Sequence, residues 1–224
     1  MKRVPLRAAV ATTAVAVAAC AAMSGALAWR HPAEEPPSGG RPAIARRAGF
    51  AMGTFVQIVA TGPGAEEAAE AALAEVKRLD RLFDRFDPAS PVAKVNAAAG
   101  RGKVGVPPEV AEAVELALFI ARQTGGAFDP TVGPLVDVWG FGASFEQARP
   151  SRPPEPGAIE AARRLVGYTD VEVDQQGATT RVGLAREGMV LDLGGIAQGY
   201  AADRAVRVLR ERGVRQALVD VGGE

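Results

Sequence analysis

Leu191-Asp-Leu-Gly-Gly-Ile-Ala-Gln-Gly-Tyr-Ala-Ala-Asp203 is the stretch whose reading decides the fold. A short β-run near Met189–Leu191 ends at Asp192, and Gly194 and Gly195 make a turn. A helix then runs from about Ile196 to Arg212, and a β-branched strand, Gln216 to Val221, follows it. Strand, glycine turn, helix and strand in succession point to an α/β domain. The turn carries chemistry as well. Amides at a helix N-terminus favour anions, and glycines let a ligand approach the main chain. Asp192 therefore has two readings, binding the polar edge of a ligand or capping the helix, whereas Asp203 reads as a surface residue.

Outward from this stretch the same alternation continues. Thr54 to Ala60 alternates and is β-branched, a strand. Ala65 to Phe86 carries Leu73, Val76, Leu79, Leu82, Phe83 and Phe86 on one stripe, a helix ended by Pro88 and Pro91. A second helix spans about Pro108 to Gln123, with proline in its first turn and Gly125 just past its end. A short helix near Ala158–Leu165 and strands near Asp170–Asp174 and Thr179–Leu184 complete the set, with no internal repeat. The expected fold class is α/β, a mixed sheet with helices packed on it.

One segment breaks both periodicities: Thr124-Gly-Gly-Ala-Phe-Asp-Pro-Thr-Val-Gly-Pro-Leu-Val-Asp-Val-Trp-Gly-Phe-Gly142. Its glycines permit unusual backbone, and Pro130 and Pro134 fix φ beside Phe128, Trp139 and Phe141. Such a run shapes a surface rather than crossing a core. It is either an ordered connection packed under its own aromatics or one wall of a site.

Composition narrows the function classes. The 224 residues are 48% hydrophobic, enough for a sizeable core, and Lys+Arg and Asp+Glu balance at 26 each. That balance speaks against a nucleic-acid binder relying on a basic field, and leaves a local basic patch open. No G-x-x-x-x-G-K-[ST] string occurs, and Gly62-Pro-Gly64 lacks the third glycine of a dinucleotide fingerprint. There is no His/Cys cluster with zinc spacing, and the single histidine, His31, lies in a Pro/Gly-rich tether. A Ser-His or Cys-His hydrolase is thereby disfavoured. Oxygen chemistry remains, which suits a hard cation such as Mg²⁺ with carboxylates, carbonyls and phosphate.

Residues 1–28 read as a targeting segment: Lys2, Arg3 and Arg7 precede the apolar run Ala8 to Ala19. Val17-Ala-Ala-Cys20 resembles a lipobox, in which Cys20, the sole cysteine, would be lipidated. Ala26-Leu-Ala28 offers an ordinary cleavage site, and Ala8–Trp29 is about long enough to span a bilayer uncleaved. The lipoprotein reading is favoured, and each reading exports the domain to a membrane-anchored or extracytoplasmic location. Residues 29–48 read as a Pro/Gly-rich tether, and residues 49–224 as the folded portion.

Five strings, taken in order, resemble one family: Met52-Gly-Thr54; Phe86-Asp-Pro-Ala-Ser90 with Asn96; Gly125-Gly-Ala-Phe-Asp-Pro-Thr-Val-Gly-Pro-Leu135; Asp192 to Asp203; and Ala217-Leu-Val-Asp-Val-Gly-Gly223. Their order and content are similar to those of ApbE-type FAD:protein FMN transferases, from about Phe50 to Glu224. The resemblance implies a compact α/β fold with the flavin nucleotide in a cleft. The implied reaction is Mg²⁺-dependent transfer of FMN from FAD to a threonine hydroxyl of a partner flavoprotein, with release of AMP. A non-catalytic FAD-binding lipoprotein, an FAD pyrophosphatase giving FMN and AMP, and a structural surface domain on a lipid anchor are the alternatives.

The resemblance also implies roles. Met52 lies beside the flavin nucleotide. Phe86 stands where Tyr is frequent; it can stack on a ring but cannot donate a hydrogen bond. Ala127, Phe128 and Asp129 match an FAD-contacting triplet, and Asp192 an acid that binds FAD. Gly195 matches the position whose main-chain carbonyl reaches the metal. Gln198 replaces a residue that is often Lys or Glu, which removes an ionic contact to the cofactor. Chains of this family continue past the position of Glu224, where the side-chain metal ligands and a functional His are expected. The catalytic residues and remaining metal ligands are accordingly expected beyond Glu224, and the sequence as it stands is expected to bind Mg²⁺ and FAD poorly and not to transfer FMN.

Overall fold

The computed structural model describes residues 43–141 and 152–223. The leader, Cys20 and His31 lie outside them, and no described helix is long and apolar enough to cross a membrane. Strands β1 (Ile44–Ala51) and β2 (Thr54–Thr61) form an antiparallel hairpin, and β6 (Gln216–Val221) pairs antiparallel with β2. Period-two alternation buries Val56, Ile58, Ala60 and Val221 and leaves Phe55 and Leu218 exposed. Helices α1 (Ala65–Phe83) and α6 (Gly194–Glu211) pack against this sheet and each other. The α1 contact face is Ala65, Ala68, Ala69, Ala72, Leu73, Val76, Leu79 and Phe83, and its alanines allow close approach.

A second antiparallel sheet has the order β3 (Lys103–Val106), β5 (Thr179–Leu184), β4 (Val171–Gln176). Helices α2 (Pro91–Ala97) and α3 (Pro108–Gln123) pack on β5, while α4 (Gly133–Val138) touches α5 (Pro156–Arg163). The parallel component is an isolated bridge, Val132 to Val190. The α/β class with helices packed on sheet is as expected.

Local readings need five corrections. The tether does not extend to residue 48, because β1 begins at Ile44. Arg46 and Arg47 made this strand look like charged linker; Ala45 is buried, and Arg47 reaches Glu66 and Glu70 of α1 at 2.6 and 2.7 Å. Helix α1 stops at Phe83 rather than Phe86, because Asp84 is extended and its side chain accepts the Phe86 N–H at 2.8 Å. Pro91 does not end a helix but opens α2, where the Ser90 hydroxyl caps Ala93 N–H at 3.0 Å. Met189–Leu191 is not a strand beyond the single bridge at Val190. Finally, β3 and α4 are additions, at four and six residues too short for periodicity to register.

Candidate functional site

The loop after α1 sorts two neighbouring side chains to opposite sides. Asp84 holds the Phe86 N–H and Asp87 holds the Ala89 N–H at 2.9 Å, so the backbone turns twice in six residues. Arg85 points inward with 8% of its side chain exposed, and Phe86 points outward with 55% exposed. Arg85 Nε lies 2.8 Å from Asp192 Oδ2. Its two terminal nitrogens donate to Asp137, at 2.6 and 3.3 Å. The guanidinium carbon sits 4.2 Å from the Phe86 ring centroid, a cation–π contact.

Asp192 thus arrives at the end of the Leu191–Gly195 turn with both carboxylate oxygens engaged. Oδ1 accepts the Gly194 N–H at 2.8 Å in an Asx turn that leads into the helix, whose N-cap is Leu193, while Oδ2 meets Arg85. The turn itself is pinned from three sides. The Asn96 amide takes the Leu191 N–H at 2.7 Å and donates to its carbonyl at 3.0 Å. The Asp192 N–H donates to the Pro130 carbonyl at 2.8 Å. Phe128 lies on Gly195, where an added Cβ would come 2.9 Å from a ring carbon; at Gly133 one would come 2.5 Å from Val190. Both glycines are therefore demanded by close approach rather than by flexibility.

Asp129 holds its own loop. Oδ1 accepts the Thr131 N–H at 2.8 Å and the Thr131 hydroxyl at 2.6 Å, and Oδ2 accepts the Tyr168 N–H at 2.9 Å. The fully buried Thr131 hydroxyl in turn accepts the Gly167 N–H at 2.8 Å. The carboxylate ties the Gly-Ala-Phe-Asp-Pro loop to the segment at Gly167–Tyr168. Ala127 is left exposed, and Phe128 is half-buried.

Met52 occupies the two-residue turn of the β1–β2 hairpin, where both central residues have positive φ, 53° at Met52 and 71° at Gly53. Hairpins of this kind normally place Asn, Asp or Gly there, so Met52 stores strain. Asp80 on α1 stabilises the conformation by accepting the Met52 N–H at 2.8 Å. Burial pushes the Asp80 carboxyl up, with the Met52 N–H opposing it. Gln198, just past the first turn of α6, packs with Thr54 around Gly222: a Cβ at Gly222 would come 3.2 Å from both Gln198 Oε1 and Thr54 Cγ2.

The N-terminal turn of α6 is where these pieces meet. Asp192, Gly195, Phe128 and, through Arg85, Phe86 gather at one side; Gln198 lies toward Thr54 and the Met52 turn. Gly195 and Gln198 are three residues apart, on one helical face. Three participants escaped the sequence reading: Arg85, Asp137 and Asp80. Only Asp80 left an indirect signal, because a methionine before glycine in a two-residue turn needs something to hold it.

For Mg²⁺ the donors at hand are few. Among the described residues no group of three or more His, Cys, Asp or Glu side chains could hold a metal ion, and the Gly195 carbonyl would be one ligand only. An octahedral oxygen shell is not built from these residues.

The ApbE family model matches residues 52–224. The chain belongs to the ApbE family. It is 39% identical over 137 residues to an FAD:protein FMN transferase of Treponema pallidum, covering 60% of this chain and 36% of that protein. It is 36% identical over 114 residues to one from Salmonella typhimurium, covering 51% and 32%. The solved ApbE protein of Thermotoga maritima superposes with a TM-score of 0.70 at 34% identity, over 79% of this chain and 57% of that one. The apo flavinyl transferase ApbE of Pseudomonas stutzeri gives 0.71 at 29% identity, over 82% and 60%. The chain thus spans about a third of the length of these curated ApbE relatives and under two thirds of the solved ones.

Proposed function

We propose that the protein transfers FMN from FAD to a threonine hydroxyl of a partner flavoprotein. The observation that carries this is that all five family-like strings reach the N-terminal end of α6 or the turn before it, the Phe86 string through Arg85 and Asn96, in a chain matched to the ApbE family over residues 52–224. In the proposed reaction the threonine Oγ attacks the FMN-side phosphorus. The new Oγ–P bond replaces the P–O–P linkage, AMP leaves with the bridging oxygen, and the hydroxyl proton passes to water.

The chain's own residues would position rather than react. Phe86 offers an exposed ring for stacking, and Ala127 offers exposed backbone next to Phe128. Asp129 shapes that loop through its committed carboxylate. The α6 N-terminus favours the phosphates, with Gln198 supplying amide hydrogen bonds and Met52 flanking from the hairpin turn. Mg²⁺ dependence is part of the proposal: Gly195 would hold the ion through one carbonyl, its other ligands would have to come from outside the described residues, and the bound ion would supply charge neutralisation at the pyrophosphate.

Incubating full-length protein with FAD, Mg²⁺ and an acceptor flavoprotein carrying the target threonine tests this. Covalent FMN on the acceptor with AMP in equal amount is expected. Free FMN in the absence of acceptor would instead support a pyrophosphatase, and FAD binding without AMP release a storage protein. We further propose that Cys20 carries the lipid anchor of an exported protein. Cys20→Ser is expected to release the protein from the membrane fraction; unchanged membrane retention would refute the lipid.

A further inference from the structure

We propose that Arg85 is a positioning residue for a stacked flavin ring: clamped by Asp137 and Asp192, it backs one face of Phe86 so that the other receives the ligand. The inference rests on the flavin reading above and adds to it a residue and a ligand preference.

An exposed phenylalanine on a loop has no intrinsic reason to stand out in solvent, since burial against a nearby apolar surface lowers its free energy. Here the backbone is fixed on both sides by the Asp84 and Asp87 side chains, and the ring rests against a guanidinium 4.2 Å from its centroid. That guanidinium is itself not free to move. Its fork is bidentate on Asp137 and its Nε faces Asp192, so three of its five N–H groups have fixed directions. With 8% of the side chain exposed, little water competes for them.

The cation, held by both carboxylates, therefore sets the plane of the Phe86 ring. Arginine stays protonated at any physiological pH, so the arrangement is permanent rather than switched. A flat conjugated ring held at that position gains most from a fixed aromatic plane. The ligand class selected is a flavin on a phosphate-bearing chain; ADP, which carries the adenine and phosphates of FAD without the isoalloxazine, is the part of FAD that does not reach the Phe86 ring.

A purely structural salt bridge would affect all ligands alike, which separates the two roles. Arg85→Met keeps much of the volume and removes the charge and the fork. Full-length Arg85→Met, Arg85→Lys, Phe86→Ala and the double variant Arg85→Met/Phe86→Ala would be titrated with FAD, read by flavin fluorescence, and with ADP. Arg85→Met is expected to weaken FAD by about tenfold and leave ADP within about twofold, with Arg85→Lys in between. The double variant should bind FAD no worse than Phe86→Ala alone, because Arg85 acts through that ring. Unchanged FAD affinity, equal losses for FAD and ADP, or additive losses in the double variant would each overturn the proposal. Should Arg85→Met fail to melt cooperatively, Asp137→Asn loosens the fork from its exposed side and is expected to cost FAD about threefold with ADP unchanged. Equal or absent losses there overturn the proposal too. Wild-type protein that binds ADP but not FAD would remove the flavin reading itself, a result distinct from a flavin site indifferent to Arg85.

Discussion

Two arginine-centred clusters in this molecule use the same chemistry in opposite settings. On the helix side, Arg78 of α1 bonds Glu75 at 2.8 Å and Glu109 of α3 at 2.6 Å, and Arg204 of α6 lies 3.5 Å from Glu75. Tyr200 donates to Glu112 at 2.7 Å. Burial, followed by that carboxylate, pushes the Tyr200 phenol well above its usual range. On the site side, Arg85 joins Asp137 and Asp192. Arg78 is 38% exposed and Arg85 8%. The first cluster ties together helices that hydrophobic stripes already place. The second joins a loop, a six-residue helix and a glycine turn that no shared hydrophobic stripe spans, the loop and the turn being held also by side-chain-to-backbone bonds. Screening reaches Arg78, and it reaches Asp137, whose side chain is 46% exposed, but it reaches least the Arg85–Asp192 contact, where the two side chains are 8% and 19% exposed.

The sharpest way to break that contrast is Asp192→Ala. It removes a partner from a nearly buried arginine and the acceptor of the Gly194 N–H, and should cost about 3 kcal/mol in urea unfolding. A loss below about 1 kcal/mol would put the clamp on a par with the surface network. Next in size is Arg78→Met, expected to cost about 1–2 kcal/mol. Raising NaCl to about 1 M should shrink that loss and leave the Asp192→Ala loss nearly unchanged. Equal salt sensitivity of the two variants would erase the distinction.

Acid sharpens the comparison further. The Arg78 hydrogen bond, against burial, holds the Glu75 carboxyl below its usual range. A depressed folded value means the contribution is complete above the unfolded value and is lost as pH falls through the folded one. The stability gap between wild type and Arg78→Met should therefore narrow below about pH 4. A gap that stays constant down to pH 2.5 (an approximate lower limit for such titrations) would count against it. The opposite sign applies to Asp80, whose raised value favours the folded state in acid and loses that advantage as pH rises through it. Smallest of all is Asp80→Asn. It keeps an acceptor for the Met52 N–H without the buried charge, and should stay within about 0.5 kcal/mol of wild type at neutral pH. Asp80→Ala should lose about 1 kcal/mol, and equality of the two would show that the turn does not depend on this acceptor.

Legibility in the sequence follows chain distance. Strands β5 and β6 and helix α3 were readable with their boundaries, because alternation, β-branching, a first-turn proline and a following glycine are local signals. The start of β1 was obscured by arginines whose partners, Glu66 and Glu70, lie across a helix. In the site, Phe86, Phe128 and Asp192 stand in recognisable strings. The commitment of the Asp129 carboxylate to Thr131 and Tyr168 is different, because one of those partners is 39 residues away.

The sequence by itself determined an α/β chain, its family, and the strings that supply an aromatic ring, an acid and a glycine-opened helix end. Those properties reside in residue type and short-range spacing, which the local backbone expresses without help. Tertiary structure alone decided that Arg85 faces Asp137 and Asp192, that Asp80 holds a strained Met52, and that Gly133 and Gly195 must stay glycine. Each of these depends on atoms brought within a few ångströms by packing of elements far apart in the chain. Charge pairing and close approach act on that distance and not on sequence separation.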